Sequence, residues 1–265
     1  DPCRGKYRSN DGDIASKYAD CVQQILDVLH DDNKQVSAFI AEAILGCGGQ
    51  IFFPEGFLVA ANTKVQQAGG VCIADEVQIG FGRVGSHFWG FESENALPDI
   101  VTMGKFMDNG HPLSAVVTTR EIADAFSNGM EYFNSFGGNP VSCAVGRAVL
   151  QVIEEEKLQA NAFQVGEYLM DQLNDLKQRH KIIGDVRGRG LFLGIELIKN
   201  PEILTPASDE AEKIANDMKD HGILISTDGP DHNVLKIKPP MVFTNDNTDQ
   251  LVETLNKVLM EDNFN

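Results

Sequence analysis

Basic residues are scarce in this sequence: 22 Lys and Arg stand against 39 Asp and Glu, a formal net charge of −17. A nucleic-acid backbone is held by clustered cations, and no such cluster occurs, so nucleic acid is excluded as a partner. The five cysteines (Cys3, Cys21, Cys47, Cys72 and Cys143) are odd in number, widely spaced and form no CxxC pair. That excludes a disulfide framework and a zinc knuckle, leaves no metal site to expect, and fits a reducing compartment. No apolar run is long enough to span a bilayer and no signal peptide opens the chain, so no membrane partner is expected. With Asp1 in first place, an upstream targeting segment can have been lost. The remaining composition, 42% hydrophobic and 23% charged over 265 residues, suits a globular core of one large or two smaller domains.

The chemistry concentrates between Gly69 and Lys105. Gly70-Val-Cys-Ile-Ala-Asp75 is a short apolar run that ends in two acids, as a buried parallel strand does at its C-terminal edge. Asp99-Ile-Val-Thr-Met-Gly-Lys105 repeats the pattern and delivers an amine. In an open α/β sheet that edge binds ligands, so Asp75 and Lys105 are candidates for one site. A lysine among apolar neighbours has a lowered pKa and can form a Schiff base with an aldehyde. The plain alternative, two solvated loop residues, stays open at this point.

Helical spacing is expected from Asp13 to about Leu29 and over residues 56–68, with strands at Ala38–Ile44, Gly70–Asp75, Asp99–Lys105 and Ser114–Thr119. The alternation predicts an α/β fold with a parallel sheet. Glu42, an acid within an apolar strand, needs a partner, with an amide or cation as probable a role as catalysis. Gly46-Cys-Gly-Gly49 reads as a turn-rich loop at the same sheet edge. Gly80-Phe-Gly-Arg-Val-Gly85 satisfies the dinucleotide fingerprint formally, but the aromatic, Gly-broken stretch after it is no crossover helix. Helices follow over 144–155 and 161–176. Gly184–Leu197 reads as a glycine-rich entry to a strand. A helix over 208–220, strands at Ile223–Ser226 and Asn233–Pro240, and a closing helix from Asn247 to Met260 complete the chain. The domains are placed at 1–153 and 154–265.

The words themselves narrow the reading. Ile73-Ala-Asp-Glu-Val-Gln-Ile-Gly-Phe-Gly-Arg83, Pro98-Asp-Ile-Val-Thr-Met-Gly-Lys105 and Phe136-Gly-Gly-Asn-Pro140 resemble the cofactor segments of class III aminotransferases. These are fold type I enzymes that use pyridoxal 5'-phosphate (PLP). The resemblance runs through nearly the whole chain but only the latter part of the family's length. The upstream Gly/Ser-rich phosphate cradle and ring-stacking aromatic are not found, which implies a fragment or truncated form. It further implies a partial large domain with a mostly parallel sheet, a small C-terminal α+β domain, and a homodimer or tetramer. By resemblance, Asp75 pairs with the pyridine nitrogen, Val77 packs on the ring and Gln78 approaches its hydroxyl. Lys105 holds the cofactor and moves protons. Ser135 stands where a threonine reaches the cofactor phosphate across a dimer interface. Phe106 and Asp108 replace a proline and a glycine of close relatives, and Asp108 is expected to put a carboxylate near the amine, favouring its charged form.

Within the family, Gly46-Cys-Gly-Gly-Gln50, Met130-Glu-Tyr-Phe133, Asp228-Gly-Pro230 and Leu235-Lys-Ile-Lys-Pro-Pro240 resemble the phospholyase branch, once called alanine-glyoxylate aminotransferase 2-like. Such enzymes remove phosphate and ammonia from ethanolamine phosphate or 5-phosphohydroxy-L-lysine. ω-Aminotransferases clasp the glutamate α-carboxylate with an arginine where this sequence has Lys236, and often shield it with an acid where this one has Cys47. An ammonium does not reproduce a planar fork. Lys236 is thus a candidate substrate contact, with a solvated strand residue as the alternative. A PLP-dependent transaminase using an oxo-acid and a non-catalytic paralogue are the competing readings. The resemblance implies mitochondria, and the cytoplasm otherwise.

Overall fold

The computed structural model describes residues 2–261, which form two compact units. One gathers the chain up to Ala43, Phe53–Phe81 and Trp89–Lys157; the other gathers Ile44–Phe52, Gly82–Phe88 and the chain from Leu158 onward. A boundary at 153/154 would cut the helix Pro140–Glu155, whereas the division falls after Lys157.

The first unit opens with helix α1 (Ile14–Asp31), whose N-terminus is closed by Asp13 accepting from Ser16 N at 3.1 Å. Strand β1 (Ala38–Ala41) is shorter than expected, because Ile44 starts a separate hairpin, β2 (Ile44–Leu45) and β3 (Ile51–Phe52), of the second unit. Helix α2 (Phe57–Gln67), strand β4 (Val71–Asp75), the single turn α3 (Gly90–Ser93) and strand β5 (Ile100–Met103) follow. A 3-10 turn at Lys105–Met107, strand β6 (Ala115–Thr118) and helices α4 (Arg120–Phe126) and α5 (Pro140–Glu155) complete the unit. Its sheet runs β1-β4-β5-β6, and Leu26, Val65 and Cys72 bring α1, α2 and β4 together in one apolar cluster.

The first two pairings are parallel and β6 lies antiparallel to β5, so the sheet is mostly parallel as the resemblance implied, although the alternation of elements had suggested a parallel strand at β6. The reason is the connection. Parallel neighbours need a crossover, and between Met103 and Ala115 there is only a 3-10 turn and a loop. The glycines from Gly80 to Gly85 open no helix, with positive φ at Phe81, Gly82 and Gly85, so the dinucleotide reading fails as expected.

The second unit contains helix α6 (Leu158–Arg179), strands β7 (Ile183–Arg189), β8 (Phe192–Asn200) and β9 (Thr205–Pro206), and helix α7 (Ser208–Asp220). Strands β10 (Ser226–Asp228) and β11 (Val234–Ile237) and helix α8 (Asn245–Glu261) end it. The sheet is antiparallel in the order β10-β11-β8-β7, with β9 on β8. Two expectations are corrected here. The Gly184–Leu197 run is a hairpin that turns at Gly190 (φ 57°), and the strand placed at Ile223–Ser226 runs from Ser226 to Asp228.

Alternation gives this sheet two faces. Ile183, Leu193, Ile195, Leu197, Leu235 and Ile237 enter the core with α6, α7 and α8. The opposite face carries Asp185 and Arg187 of β7, Glu196 of β8, Lys236 of β11 and Asp228 of β10.

Candidate active site

In the first unit, β4 and β5 run parallel with Asp75 beside Thr102, so Asp75 and Lys105, just beyond Met103, leave the sheet at the same edge. The Asp75 Oδ1 accepts the N–H of Val77 at 3.1 Å, which fixes the carboxylate at the strand end. Its Oδ2 takes no protein hydrogen bond among the described residues. The Val77 side chain turns toward the neighbouring strand: a Cβ on Gly104 would lie 3.9 Å from both Val77 methyls. An acid and an apolar side chain from β4 thus stand beside the backbone that carries the lysine.

Lys105 is exposed and sits at φ 36°, a left-handed conformation that a side chain with a Cβ adopts at a cost. Such strain is held only where surrounding structure fixes it, and is concentrated at functional positions. Here the fixing agent is Asp108. Its two oxygens accept the N–H groups of Gly110 at 3.1 Å and Leu113 at 2.6 Å, closing the loop after the lysine. The expected carboxylate beside the amine is therefore committed to backbone. Helix α5 braces the same loop, with the Leu113 side chain lying against Gly146 and His111 Nε2 2.7 Å from Ser142 Oγ.

Gln78 is buried and donates to Glu42 Oε1 at 3.4 Å, giving Glu42 the amide partner its position called for. Ser135 lies exposed in the loop before α5. Lys236 belongs to the second unit, where its side chain is partly exposed and its Nζ is 2.8 Å from Asp228 Oδ2.

Two carboxylates escaped sequence reasoning. Glu76 is fully buried and accepts the N–H groups of Gly90 at 2.8 Å and Phe91 at 2.9 Å. Burial pushes its pKa up, against the pull of those two donors. It ties the chain after Asp75 to the start of α3. The acidic doublet at a strand end was its signal, since two consecutive acids cannot both face one ligand. Asp228 showed itself only through pairing, which sets it diagonally from Lys236 on one sheet face.

A family model described as aminotransferase class-III matches residues 4–259. The chain is 51% identical over 257 residues to a Drosophila melanogaster protein named alanine–glyoxylate aminotransferase 2-like, covering 95% of this chain and 52% of that one. It is also 51% identical over 255 residues to the mitochondrial alanine–glyoxylate aminotransferase 2 homolog 2 of Arabidopsis thaliana, covering 96% and 52%. Among solved structures, a phospholyase from Arthrobacter in complex with phosphoethanolamine superposes with a TM-score of 0.91 at 40% identity, covering 95% of this chain and 61% of that one. The chain spans about half the length of the curated relatives it matches. Among the described residues no helix is long and apolar enough to cross a membrane, and no cluster of metal-ligating side chains occurs.

Proposed function

Because this chain belongs to the class III aminotransferase family, whose members use PLP, we propose that it serves a PLP-dependent phospholyase acting on a phosphorylated amine. Ethanolamine phosphate and 5-phosphohydroxy-L-lysine are the candidate substrates. One water is consumed, and the products are inorganic phosphate, ammonia and an aldehyde. The observation that carries the reading is the shared edge of β4 and β5, from which Asp75 and the strained Lys105 both emerge beside Val77.

These residues fit PLP. Asp75 has a carboxylate oxygen left over for a ring N–H, Val77 offers an apolar side chain beside Gly104, and Lys105 offers an exposed amine for the aldehyde. When bound, PLP supplies an electron sink for charge developing on the carbon next to the substrate nitrogen. Asp75 keeps the ring nitrogen protonated by its negative charge. Lys105 holds the cofactor and then takes the proton from the substrate carbon that bears nitrogen, acting as general base. Gln78 would hold the ring hydroxyl, and the Ser135 hydroxyl would hold the cofactor phosphate of a second subunit in a homodimer.

Likeness to the Arthrobacter phospholyase supports elimination, as does a lysine where transaminases of the family have a glutamate-clasping arginine. A transaminase using an oxo-acid is the second reading, favoured by the name of the Arabidopsis relative, which also favours a mitochondrial address. The two separate by product. A lyase releases inorganic phosphate from ethanolamine phosphate with no oxo-acid added, whereas absolute dependence on an oxo-acid would mean a transaminase.

A further inference from the structure

We infer that His111 is a positioning residue for Lys105: through Ser142 and Asn139 it ties the loop that carries the lysine to the loop that carries Ser135, so that one hydrogen-bond chain sets both. The consequence for the cofactor rests on the reading of Lys105 and Ser135 given above; the bonds themselves do not.

The bonds made by Asp108 are internal to the lysine loop, and so is that from the N–H of His111 to Asp108 O at 3.2 Å. The His111 side chain carries the loop to a neighbouring element. Its Nε2 lies 2.7 Å from the Oγ of Ser142, a buried residue in the first turn of α5. Asn139 caps that turn. Its Oδ1 accepts from Ser142 N at 2.9 Å, while its Nδ2 donates to Ser142 Oγ at 2.8 Å and to Phe136 O at 2.9 Å. Phe136 follows Ser135 directly, and Asn134 before it accepts the N–H groups of Phe136 and Gly137 through Oδ1, each at 3.0 Å. The chain thus runs from the Ser135 loop through Asn139 and Ser142 to the imidazole.

The amide gives the chain its direction. Ser142 N needs the Asn139 oxygen and Phe136 O needs its nitrogen, so Asn139 can only donate to the Ser142 hydroxyl. The hydroxyl proton is left for an acceptor, and among the described residues the one within reach is His111 Nε2. His111 therefore accepts, with its own proton on Nδ1. A glutamine carbonyl could take that role, whereas a phenylalanine of similar size could not. Lys105 stands at φ 36° at the start of the loop so held, and a conformation of that cost persists only under restraint. In a homodimer the chain would join the lysine of one site to the phosphate donor of the other.

Two measurements on wild type, His111→Phe, His111→Gln and Ser142→Ala test this: hydrogen exchange by mass spectrometry without PLP, and borohydride trapping over a series of PLP concentrations. In His111→Phe, exchange should quicken in both segments 106–113 and 134–142. The PLP concentration for half-maximal trapping at Lys105 should rise about fivefold, the worth of one hydrogen bond. His111→Gln should restore most of both, since its carbonyl can accept from Ser142. Ser142→Ala, which keeps the backbone cap, should match His111→Phe and carries the test if that variant fails to fold. The double variant should be no worse than either, because both break one link. A merely space-filling histidine predicts the reverse order, with phenylalanine and not glutamine preserving both readouts. That order overturns the inference, as do quickened exchange confined to 106–113, additive losses in the double variant, or unchanged trapping in a folded His111→Phe. Quickened exchange in both segments, with no adduct on Lys105 even in wild type, would remove the cofactor reading and leave the tie between the loops standing.

Discussion

Glu76 shows how one buried group can make stability depend on pH. Burial raises its folded pKa above the ordinary 4.5, while the N–H groups of Gly90 and Phe91 oppose the shift. A carboxyl with a raised folded pKa binds its proton more tightly in the folded chain. Its stabilising contribution is therefore complete below 4.5 and is lost as pH rises through the raised value. In Glu76→Gln that dependence should vanish, so the stability advantage of wild type over the variant should shrink as pH rises through that window and stay constant outside it. At pH 7 the variant should also be less stable by about 1–3 kcal/mol, because one of two buried N–H groups would face an amide donor. Denaturant unfolding of both proteins at several pH values checks this. A constant difference across the window would refute the assignment.

At the scale of elements, the close approach of α6 to the β7–β8 hairpin depends on two glycines. A Cβ on Gly166 would lie 2.4 Å from Gly190 O, and one on Gly190 would lie 2.5 Å from Arg83 O. Both neighbours are backbone and cannot swing aside. Gly166→Ala should therefore cost roughly 1–3 kcal/mol or more by overpacking, measurable as a lowered urea midpoint. An unchanged midpoint would mean that α6 sits farther from the hairpin. This hairpin also marks what the sequence could convey. The runs ending at Asp75 and Lys105 were legible because buried parallel strands write continuous apolar words with a charge at the end. The hairpin was only half legible, since Gly184, Gly188 and Gly190 disguise its first strand as the entry to the second, and their value lies in contacts with distant backbone and side chains. The direction of β6 was lost for a different reason: strand words do not state whether the chain returns or crosses over.

At the scale of the molecule, apolar side chains stand in solvent on the first unit. Ile40 of β1 and Val116 and Val117 of β6 are exposed on the two edge strands of its sheet, and Met130, Tyr132, Phe133 and Phe136 are exposed in the loop that carries Ser135. Exposed patches and open edges of this kind promote association. The homodimer proposed above should therefore appear in sedimentation velocity as a concentration-dependent species, and Phe133→Ser with Phe136→Ser should shift it toward monomer. A monomer at every concentration would remove the proposal. Lys236 was found from the sequence, but its partner was not, because strand pairing across the Gly229 turn brings Asp228 to it.

The reading as a whole depends on the edge where β4 and β5 end. Incubation of the protein with PLP, borohydride reduction and peptide mass spectrometry probes that edge without any catalytic turnover. The predicted result is a stable phosphopyridoxyl adduct on the peptide containing Lys105, absent from Lys105→Ala and diminished in Asp75→Ala. Labelling spread over surface lysines, equal in wild type and Lys105→Ala, would contradict it.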